Sequence, residues 1–333
     1  MNVLSLFDGM SCGQIALNRL GVKYDKYFAS EIDKYAMQIT KQNYPDTIHI
    51  GDVTAIKAAE LSKIDLLMGG SPCQGFSFAG SQLAFDDPRS KLFFEFVRLL
   101  KELKPKYFLL ENVKMKKEYL DIITEHLEVE PILINSALVS AQNRQRYYWT
   151  NIPGILQPKD KGIVLKDILE TNPNEITKMS DRFVNRQINN KKDKCLIDES
   201  KPKASNLSAM EYVKNGRQGD YLACDYDGKP KQVGIATDIN GYDIIKRVYS
   251  ENGKSPTLTT MGGGHREPKV AIDATYWRKL TPLECERLQT VPDNYTEGVS
   301  NTQRYKMLGN GWTVDVICHI LSHLYFFKGV INE

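Results

Sequence analysis

The amino-acid sequence predicts an α/β protein that combines a doubly wound, mostly parallel sheet with a second, smaller and irregular domain. The length of 333 residues exceeds that of one ordinary domain. Strand-like and helix-like segments alternate as far as about residue 158, which is typical of a parallel sheet covered by helices. Between residues 172 and 273 the chain becomes rich in Asn, Lys, Asp, Gly and Ser, with only short strand-like pieces. This change in composition predicts the smaller domain.

Each element of the first domain is predicted from its apolar pattern. The run 64–68 ends at Gly69 and Gly70, as expected of a strand buried on both faces. Residues 92–103 carry apolar side chains at helical spacing. By the same reasoning, further strands are predicted at 3–7, 27–30, 47–50, 107–110, 132–139 and 146–152, and further helices at 12–20 and 33–42.

Later in the chain, residues 257–261 are strand-like, and helical patterns return at 282–289 and 314–327. Thr281 is a predicted N-cap, because Pro282 occupies the first helical position and Glu284 stands at the spacing of a capping box.

Composition excludes several classes of protein. A hydrophobic fraction of 41% and a charged fraction of 26% predict a globular protein. The net charge of +3 excludes a histone-like polycation but allows a local basic groove. None of the six cysteines forms a CxxC pair, so no metal site is expected. The opening residues lack the basic region of a signal peptide, and no apolar run approaches the ~18 residues of a membrane span, so a cytoplasmic protein is expected.

An adenosine-binding pattern follows the first three strands. The sequence FDGMSCG, residues 7–13, forms a glycine turn before a helix, where a backbone can approach a ligand closely. Glu31 follows the second strand at the distance at which an acid commonly binds a ribose, and Asp52 is placed to accept from an adenine amino group. A simple turn followed by two helix-capping acids explains the same spacing equally well.

Two reactive side chains are predicted at the ends of neighbouring strands. Cys73 lies in the loop GSPCQGFS after the strand that ends at Gly70, and this position suits a thiolate nucleophile. Glu111 closes the next buried strand, so the two side chains are expected to face one crevice. The alternatives are a small buried cysteine for Cys73 and, for Glu111, a helix cap or a salt bridge, which would be preferred if Glu111 were considered alone.

Arg144 and Arg146 lie two residues apart in the extended segment QNRQRYY, so they are expected to share one face. One could hold a carbonyl oxygen and the other a phosphate. A solvated pair of charges on an edge strand is the alternative.

In this order, the segments resemble the DNA (cytosine-5) methyltransferase family of bacterial and phage type. The resemblance covers most of the chain. It rests on FDGMSCGQIAL, ASEIDKYA, GDVTAI, SPCQGFS, ENV, QNRQRYY, RKLTPLECERLQTVPDNY and YKMLGNGWTVDVI. Ser11 and Cys12 depart from the commoner glycines of this family, and Gly-Asn-Gly-Trp at 309–312 departs from its commoner ending.

The resemblance implies a methyltransferase fold that binds S-adenosyl-L-methionine. It implies a catalytic domain of residues 1–165 plus 272–333 and a target-recognition domain of residues 166–271. The implied catalytic residues are Cys73 as nucleophile, Glu111, Arg146 and Arg144. The implied cofactor-binding residues are Phe7, Gly9, Met10, Glu31, Ile32, Asp52, Val53, Pro72, Leu92, Asn310 and Gly311. The implied DNA-binding residues are Gln74, Ser77, Arg89, Arg247, Thr257 and Thr259.

The implied reaction is transfer of a methyl group to C5 of a flipped cytosine in a specific duplex DNA sequence, through a covalent Cys73–C6 adduct. The protein is expected to act as a monomer, and a cognate restriction endonuclease acting on the same site is a partner that the resemblance allows. The nearest alternative is the same chemistry on a tRNA cytosine, although a variable insert of about 100 residues favours DNA. A non-catalytic DNA-binding relative, a nicotinamide-dependent dehydrogenase and a thymidylate-synthase-like enzyme explain fewer of the motifs.

Overall fold

A computed structural model of the chain describes residues 1–72, 92–171, 177–178, 229–236, 239–261, 265–272 and 276–330. Its main feature is a seven-stranded sheet with a hydrophobic core on each face. The strands are β1 (Asn2–Leu6), β2 (Lys26–Ser30), β3 (Ile48–His49), β4 (Leu66–Gly70), β5 (Tyr107–Val113), β6 (Ile132–Asn135) and β7 (Gln145–Thr150).

The strand order in space is β3-β2-β1-β4-β5-β7-β6. Neighbours from β3 to β5 pair in parallel, whereas β7 runs antiparallel to both β5 and β6. This confirms the predicted mostly parallel sheet. The strand order reverses between β1 and β4, and in open α/β sheets ligands bind beyond the carboxyl ends of the strands at such a point.

Helices cover both faces of the sheet. The helices are α1 (Cys12–Arg19), α2 (Lys34–Asn43), α3 (Leu92–Leu103), α4 (Lys117–Leu127), α5 (Asp243–Lys246), α6 (Pro282–Leu288), α7 (Asn301–Asn310) and α8 (Val314–Val330). Alternation along β1 sends Val3 into the core that contains Ile15 of α1 and Ile320 of α8, and Leu4 into the core that contains Phe96 of α3. Among the described helices, none has the length and apolar character needed to cross a membrane.

Helix α8 packs against α1, although the two are far apart in the sequence. Arg19 of α1 forms an ion pair with Asp315 of α8, and the Cys318 thiol lies 3.7 Å from the carbonyl oxygen of Ala16. The last helix therefore belongs to the same layer as the first one.

The predicted capping box is confirmed at the start of α6. The Thr281 hydroxyl accepts from the Glu284 backbone N–H at 3.2 Å, and the Thr281 N–H donates to Oε2 of Glu284 at 2.9 Å. This reciprocal pair satisfies two backbone donors at the helix terminus.

A second sheet of five short strands forms the smaller part of the structure. The strands are β8 (Thr177–Lys178), β9 (Gln232–Ile235), β10 (Arg247–Tyr249), β11 (Lys269–Ala271) and β12 (Tyr276–Lys279), in the order β8-β12-β11-β10-β9. Tyr249 and Val270 of this sheet share a core with α1 and α8. The domain boundaries at 165/166 and 271/272 stay predictions, and the second sheet extends to Lys279.

Several predicted elements differ from the structure. The strand predicted at 132–139 ends at Asn135, because the Asn135 side chain accepts from the Ala137 N–H at 3.1 Å and caps a 3-10 turn. The segment 257–261 is not a strand: the Leu258 N–H binds the side chain of Gln142 and its carbonyl binds that of Arg144. The strand predicted at 107–110 continues to Val113. Helices α4 and α7 were not predicted, and α7 is polar along most of its length.

Candidate active site

The carboxylate of Glu111 contacts two side chains from different parts of the chain, one through an ion pair and one through a hydrogen bond. Register places Glu111 beside Gly70 of β4 and Tyr148 of β7. Nε of Arg146 lies 2.9 Å from Oε1, and Nε1 of Trp312 donates to Oε2 at 3.2 Å. Only 11% of the Glu111 side chain is exposed. Because electrostatic interactions are stronger in a mostly buried site, the ion pair and the hydrogen bond together orient the carboxylate.

The chain leaves β4 next to this carboxylate and leads toward Cys73. Ser71 is buried, and its hydroxyl accepts a hydrogen bond of 3.1 Å from Nδ2 of Asn112, the neighbour of Glu111. Pro72 follows. The structure therefore fixes the residues that precede Cys73. The predicted site residues Cys73, Gln74, Ser77 and Arg89 lie outside the described residues.

The three described cysteines are unsuited to nucleophilic attack. Burial raises the pKa of Cys12 to about 12 and the pKa of Cys318 to about 11. Burial also raises the pKa of Cys285 well above its ordinary value. All three are therefore thiols at neutral pH, whereas the thiolate is the reactive form of cysteine.

Arg144 joins three segments of the chain through backbone carbonyls. Its buried guanidinium donates to the carbonyl of Leu258 at 3.1 Å and to those of Gly309 and Gly311 at 3.1 and 3.0 Å. Gly309 is required here, because a Cβ at this position would lie 1.9 Å from the carbonyl oxygen of Thr259. Arg144 thus fixes the loop that carries Trp312.

The glycine turn after β1 is tied to Glu31. Gly9 has a φ of +59°, and its N–H donates to Oε2 of Glu31 at 2.7 Å. The N–H groups of Ile32 and Asp33 donate to Oε1 of Glu31 at 2.7 and 2.8 Å. Since a carboxylate offers about four acceptor positions, Glu31 retains capacity for one more donor. The side chain of Ile32 is 74% exposed, an apolar surface beside this carboxylate.

Asp52 belongs to a second group of predicted cofactor-binding residues. Oδ1 of Asp52 accepts from the N–H and the hydroxyl of Thr54 at 2.9 and 2.8 Å, which leaves Oδ2 for another donor. Val53, Phe7 and Leu92 belong to one apolar cluster. The structure therefore brings these four predicted cofactor residues to one region.

Met10, Asn310 and Gly311 lie on the other side of the turn. Met10 is buried, and a Cβ at Gly311 would lie 3.0 Å from its terminal methyl group. Asn310 is exposed at the end of α7. The end of α7 therefore meets the loop that follows β1, and the cofactor-binding role of these residues stays a prediction.

Asp8, next to Gly9, is a carboxylate with an unusual proton affinity. Burial raises its pKa from 3.8 to about 6, against the opposing effect of hydrogen bonds from Ser11 and Tyr27. The Tyr27 hydroxyl donates to Oδ1 at 2.8 Å. The folded protein therefore favours the protonated form of Asp8, so its contribution to stability is complete below about pH 4 and is lost as pH rises through 6.

The Asp8→Asn variant should remove this pH dependence. An amide is neutral at every pH, and its oxygen can still accept from Tyr27. Between pH 5 and 7.5, we expect the variant to gain about 1 kcal/mol of unfolding free energy relative to the unchanged protein. Urea unfolding of both proteins at the two pH values measures this difference. An equal change in unfolding free energy for the two proteins would contradict the titration of Asp8 in this range.

Of the described DNA-binding candidates, Arg247 begins β10 of the second sheet, whereas Thr257 and Thr259 lie in the segment that contacts Asn143 and Gly309. Arg247 and Thr259 are exposed. The Thr257 hydroxyl is not free, because it donates to the carbonyl of Asn143 at 2.6 Å. Thr257 therefore also anchors its own segment beside Arg144.

Sequence reasoning missed three residues that shape this site: Gly70, Asn112 and Trp312. The motif at 309–312 marked Trp312 as unusual, but no local signal joined it to Glu111. Trp312 and Glu111 are in contact although 201 residues separate them in the sequence.

Comparisons with known proteins decide the family. The family profile described as C-5 cytosine-specific DNA methylase matches residues 1–325. The chain belongs to this family. It is a DNA cytosine-5 methyltransferase, and its family and fold imply the use of S-adenosylmethionine.

Two relatives and one solved structure illustrate the similarity. The chain is 32% identical to an orphan methyltransferase of Bacillus phage rho11s, over 82% of this chain and 69% of the relative. It is 30% identical to a type II methyltransferase of Neisseria lactamica, over 97% and 95% of the two chains. A methyltransferase of Entamoeba histolytica has the same fold, with a TM-score of 0.66, 16% identity and coverage of 98% of both chains.

Proposed function

We propose that this cytosine-5 methyltransferase modifies a flipped cytosine in a specific duplex DNA sequence through a covalent bond between Cys73 and C6 of the base. The observation that supports this proposal is the carboxylate of Glu111, held between Arg146 and Trp312 at the point where β4 leads toward Cys73. A pyrimidine placed there would meet a fixed carboxylate and a guanidinium together.

The residues near the turn after β1 fit an adenosine group. A Cβ at Gly9 would meet no atom within 4 Å, so the space in front of the turn is open. Glu31 has a spare acceptor position for a ribose hydroxyl, and Ile32 offers an exposed apolar surface to a base. Asp52 would accept from the adenine amino group. These residues would hold S-adenosylmethionine, which supplies an electrophilic methyl group on a sulfonium.

Cys73 acts first in the proposed mechanism. Its thiolate forms an S–C6 bond, and the electron pair of the C5=C6 double bond moves onto C5 and, by conjugation, toward the N3 and O2 side of the ring. Glu111 binds N3 and the exocyclic amine and supplies a proton as this charge develops. Arg146 holds O2 and stabilises the same charge. C5 thereby becomes nucleophilic enough to be methylated.

Release of the methylated cytosine from Cys73 reverses the addition. A base, which can be a water molecule, removes the C5 proton, and this electron pair restores the C5=C6 double bond. The C6–S bond breaks and returns the Cys73 thiolate, and the proton that Glu111 supplied to the ring returns to Glu111. None of these steps can occur in a stacked duplex, so the cytosine leaves the helix at a cost of about a few kcal/mol.

Residues 166–271 are proposed to recognise the target. Arg247 and Thr259 are exposed and can reach DNA, whereas Thr257 supports the segment of Thr259 from within. Gln74, Ser77 and Arg89 are proposed to contact DNA from the segment that follows Cys73.

The experiment that tests this function is transfer of a tritiated methyl group to unmethylated duplex DNA, with tRNA assayed in parallel and the modified base identified by mass. 5-Methylcytosine in DNA is expected, and sequencing of the product then gives the target. Label confined to tRNA would instead support the RNA alternative. Family membership already disfavours the dehydrogenase and the thymidylate-synthase-like alternatives.

Replacing Glu31 by alanine is expected to weaken S-adenosylmethionine binding about 10- to 100-fold. The substitution removes the proposed ribose acceptor and leaves the N–H groups of Gly9, Ile32 and Asp33 without their acceptor. Calorimetric titration measures the affinity.

The matched control is Asp33→Ala, which also removes an acid that accepts two backbone N–H groups. This control should lose stability yet bind the cofactor within about two-fold of the unchanged affinity. An unchanged affinity in Glu31→Ala would remove Glu31 from the ribose site.

A further inference from the structure

Contacts of the residues on either side of Trp312 hold its indole beside Glu111. The indole is 9% exposed and lies in the short connection between α7 and α8. The residue before it is fixed, because the carbonyl of Gly311 accepts from Arg144 at 3.0 Å and from Gln289 at 3.3 Å. The residue after it is fixed too, since the Thr313 hydroxyl donates to Gln289 at 2.8 Å. The indole N–H therefore has one well-defined direction.

The strand beside this contact is shaped to admit it. A Cβ at Gly70 would lie 2.8 Å from Nε1 of Trp312 and 3.1 Å from Oε2 of Glu111. Any side chain at Gly70 would therefore press on the hydrogen bond between the two residues. The absence of a side chain here leaves the indole and the carboxylate in direct contact.

The contact restricts the proton of Glu111. Nε of Arg146 lies 2.9 Å from Oε1 in an ion pair, and Trp312 donates a hydrogen bond to Oε2, so Oε2 has one donor and one remaining lone pair. An indole N–H only donates, so a proton on Oε2 cannot lie between Oε2 and Trp312. It must occupy the other side of the oxygen. The same hydrogen bond restrains rotation of the carboxylate.

We propose that Trp312 is a positioning residue that orients the Glu111 carboxylate and directs its proton toward the cytosine ring. The proposal rests on the proposed role of Glu111 in cytosine methylation. It assigns a task to the tryptophan by which this chain departs from the commoner ending of the family motif.

The decisive variant removes the N–H and leaves the shape of the ring. Incorporation of β-(3-benzothienyl)alanine at position 312 replaces the N–H by sulfur. We expect kcat to fall about 10- to 100-fold, because a hydrogen bond to a charged group is lost. KM values for DNA and S-adenosylmethionine should stay within about two-fold. Trp312→Phe should reproduce the fall in kcat.

Trp149 provides the matched control. It is fully buried and donates from Nε1 to the Thr124 hydroxyl at 3.0 Å, so the same replacement there removes a similar bond away from Glu111. This control should keep its kcat. An equal loss of kcat at both positions would overturn the proposal, as would an unchanged kcat at position 312 or a change confined to the KM for S-adenosylmethionine.

A second measurement detects the contact without activity. The protein contains three tryptophans, so ¹⁵N-indole labelling gives three N–H signals. Glu111→Gln should shift the signal that Trp312→Phe removes and leave the Trp149 signal in place. An unshifted Trp312 signal would overturn the contact. If the unchanged enzyme methylates no DNA, the proposed function fails and the role of Trp312 fails with it; if it does methylate DNA while the isostere is fully active, only the role of Trp312 fails.

Discussion

Replacing Cys73 by serine is expected to abolish methyl transfer to DNA while cofactor binding remains. The proposed reaction begins with a thiolate, and a serine hydroxyl is a far weaker nucleophile at neutral pH. A loss of at least ~10³-fold in kcat is expected, since the covalent step itself is removed. The measurements are tritiated methyl transfer and calorimetric titration with S-adenosylmethionine.

Cys318 offers a matched control for this substitution. It lies on α8, is partly buried, and has a pKa raised to about 11, so it is not a thiolate. Cys318→Ser should keep nearly full activity. DNA that contains 5-fluorocytosine adds a direct test, because fluorine blocks removal of a C5 proton and should leave the unchanged enzyme attached to DNA. Substantial turnover by Cys73→Ser would contradict the covalent mechanism.

Replacing Glu111 by glutamine is expected to lower kcat about 10²- to 10⁴-fold, the usual effect of removing a positioned acid or base. The structure adds a second consequence. The guanidinium of Arg146 forms an ion pair with one oxygen of Glu111, and the indole of Trp312 donates to the other. Whichever way the amide of glutamine turns, its NH₂ group faces either the guanidinium or the indole N–H. We therefore also expect a loss of about 1–3 kcal/mol of stability, measured by urea unfolding.

The matched control is Glu284→Gln. Glu284 forms a buried pair with Arg278, with contacts of 2.6 and 2.7 Å, in α6. This control should also lose stability but keep its kcat under conditions where it is folded. If the two variants lost kcat equally, the effect of Glu111→Gln would be structural and its catalytic role would be wrong.

The sheet could be predicted because its central strands are buried on both faces. Leu66–Gly70 and Tyr107–Val113 are therefore nearly continuous apolar runs that stand out in the sequence. The apolar pattern predicted the wrong structure where polar side chains form hydrogen bonds with backbone groups that a strand would use. Asn135 ends β6 early by capping a turn, and Gln142 and Arg144 take the hydrogen bonds of Leu258 that a strand would need.

The sequence motifs single out individual residues of the candidate site, whose roles stay predictions, but they do not report the contacts between those residues. Glu31 directly follows β2, Glu111 lies near the end of β5 and Arg146 lies near the start of β7, where local sequence gives a chemical reason for them. Trp312 reaches Glu111 only because Arg144 holds the carbonyls of Gly309 and Gly311. That arrangement depends on the packing of α8 against α1, which no local pattern reports.

The packing of α8 against α1 has a consequence for how genes of this fold can be rearranged. The segment with α6, α7 and α8 meets the first strand and helix through side-chain contacts, not through chain continuity. A circularly permuted gene that encoded this segment before β1 would preserve the meeting of Trp312 with Glu111. The site therefore depends on contacts between these segments and not on their order along the chain.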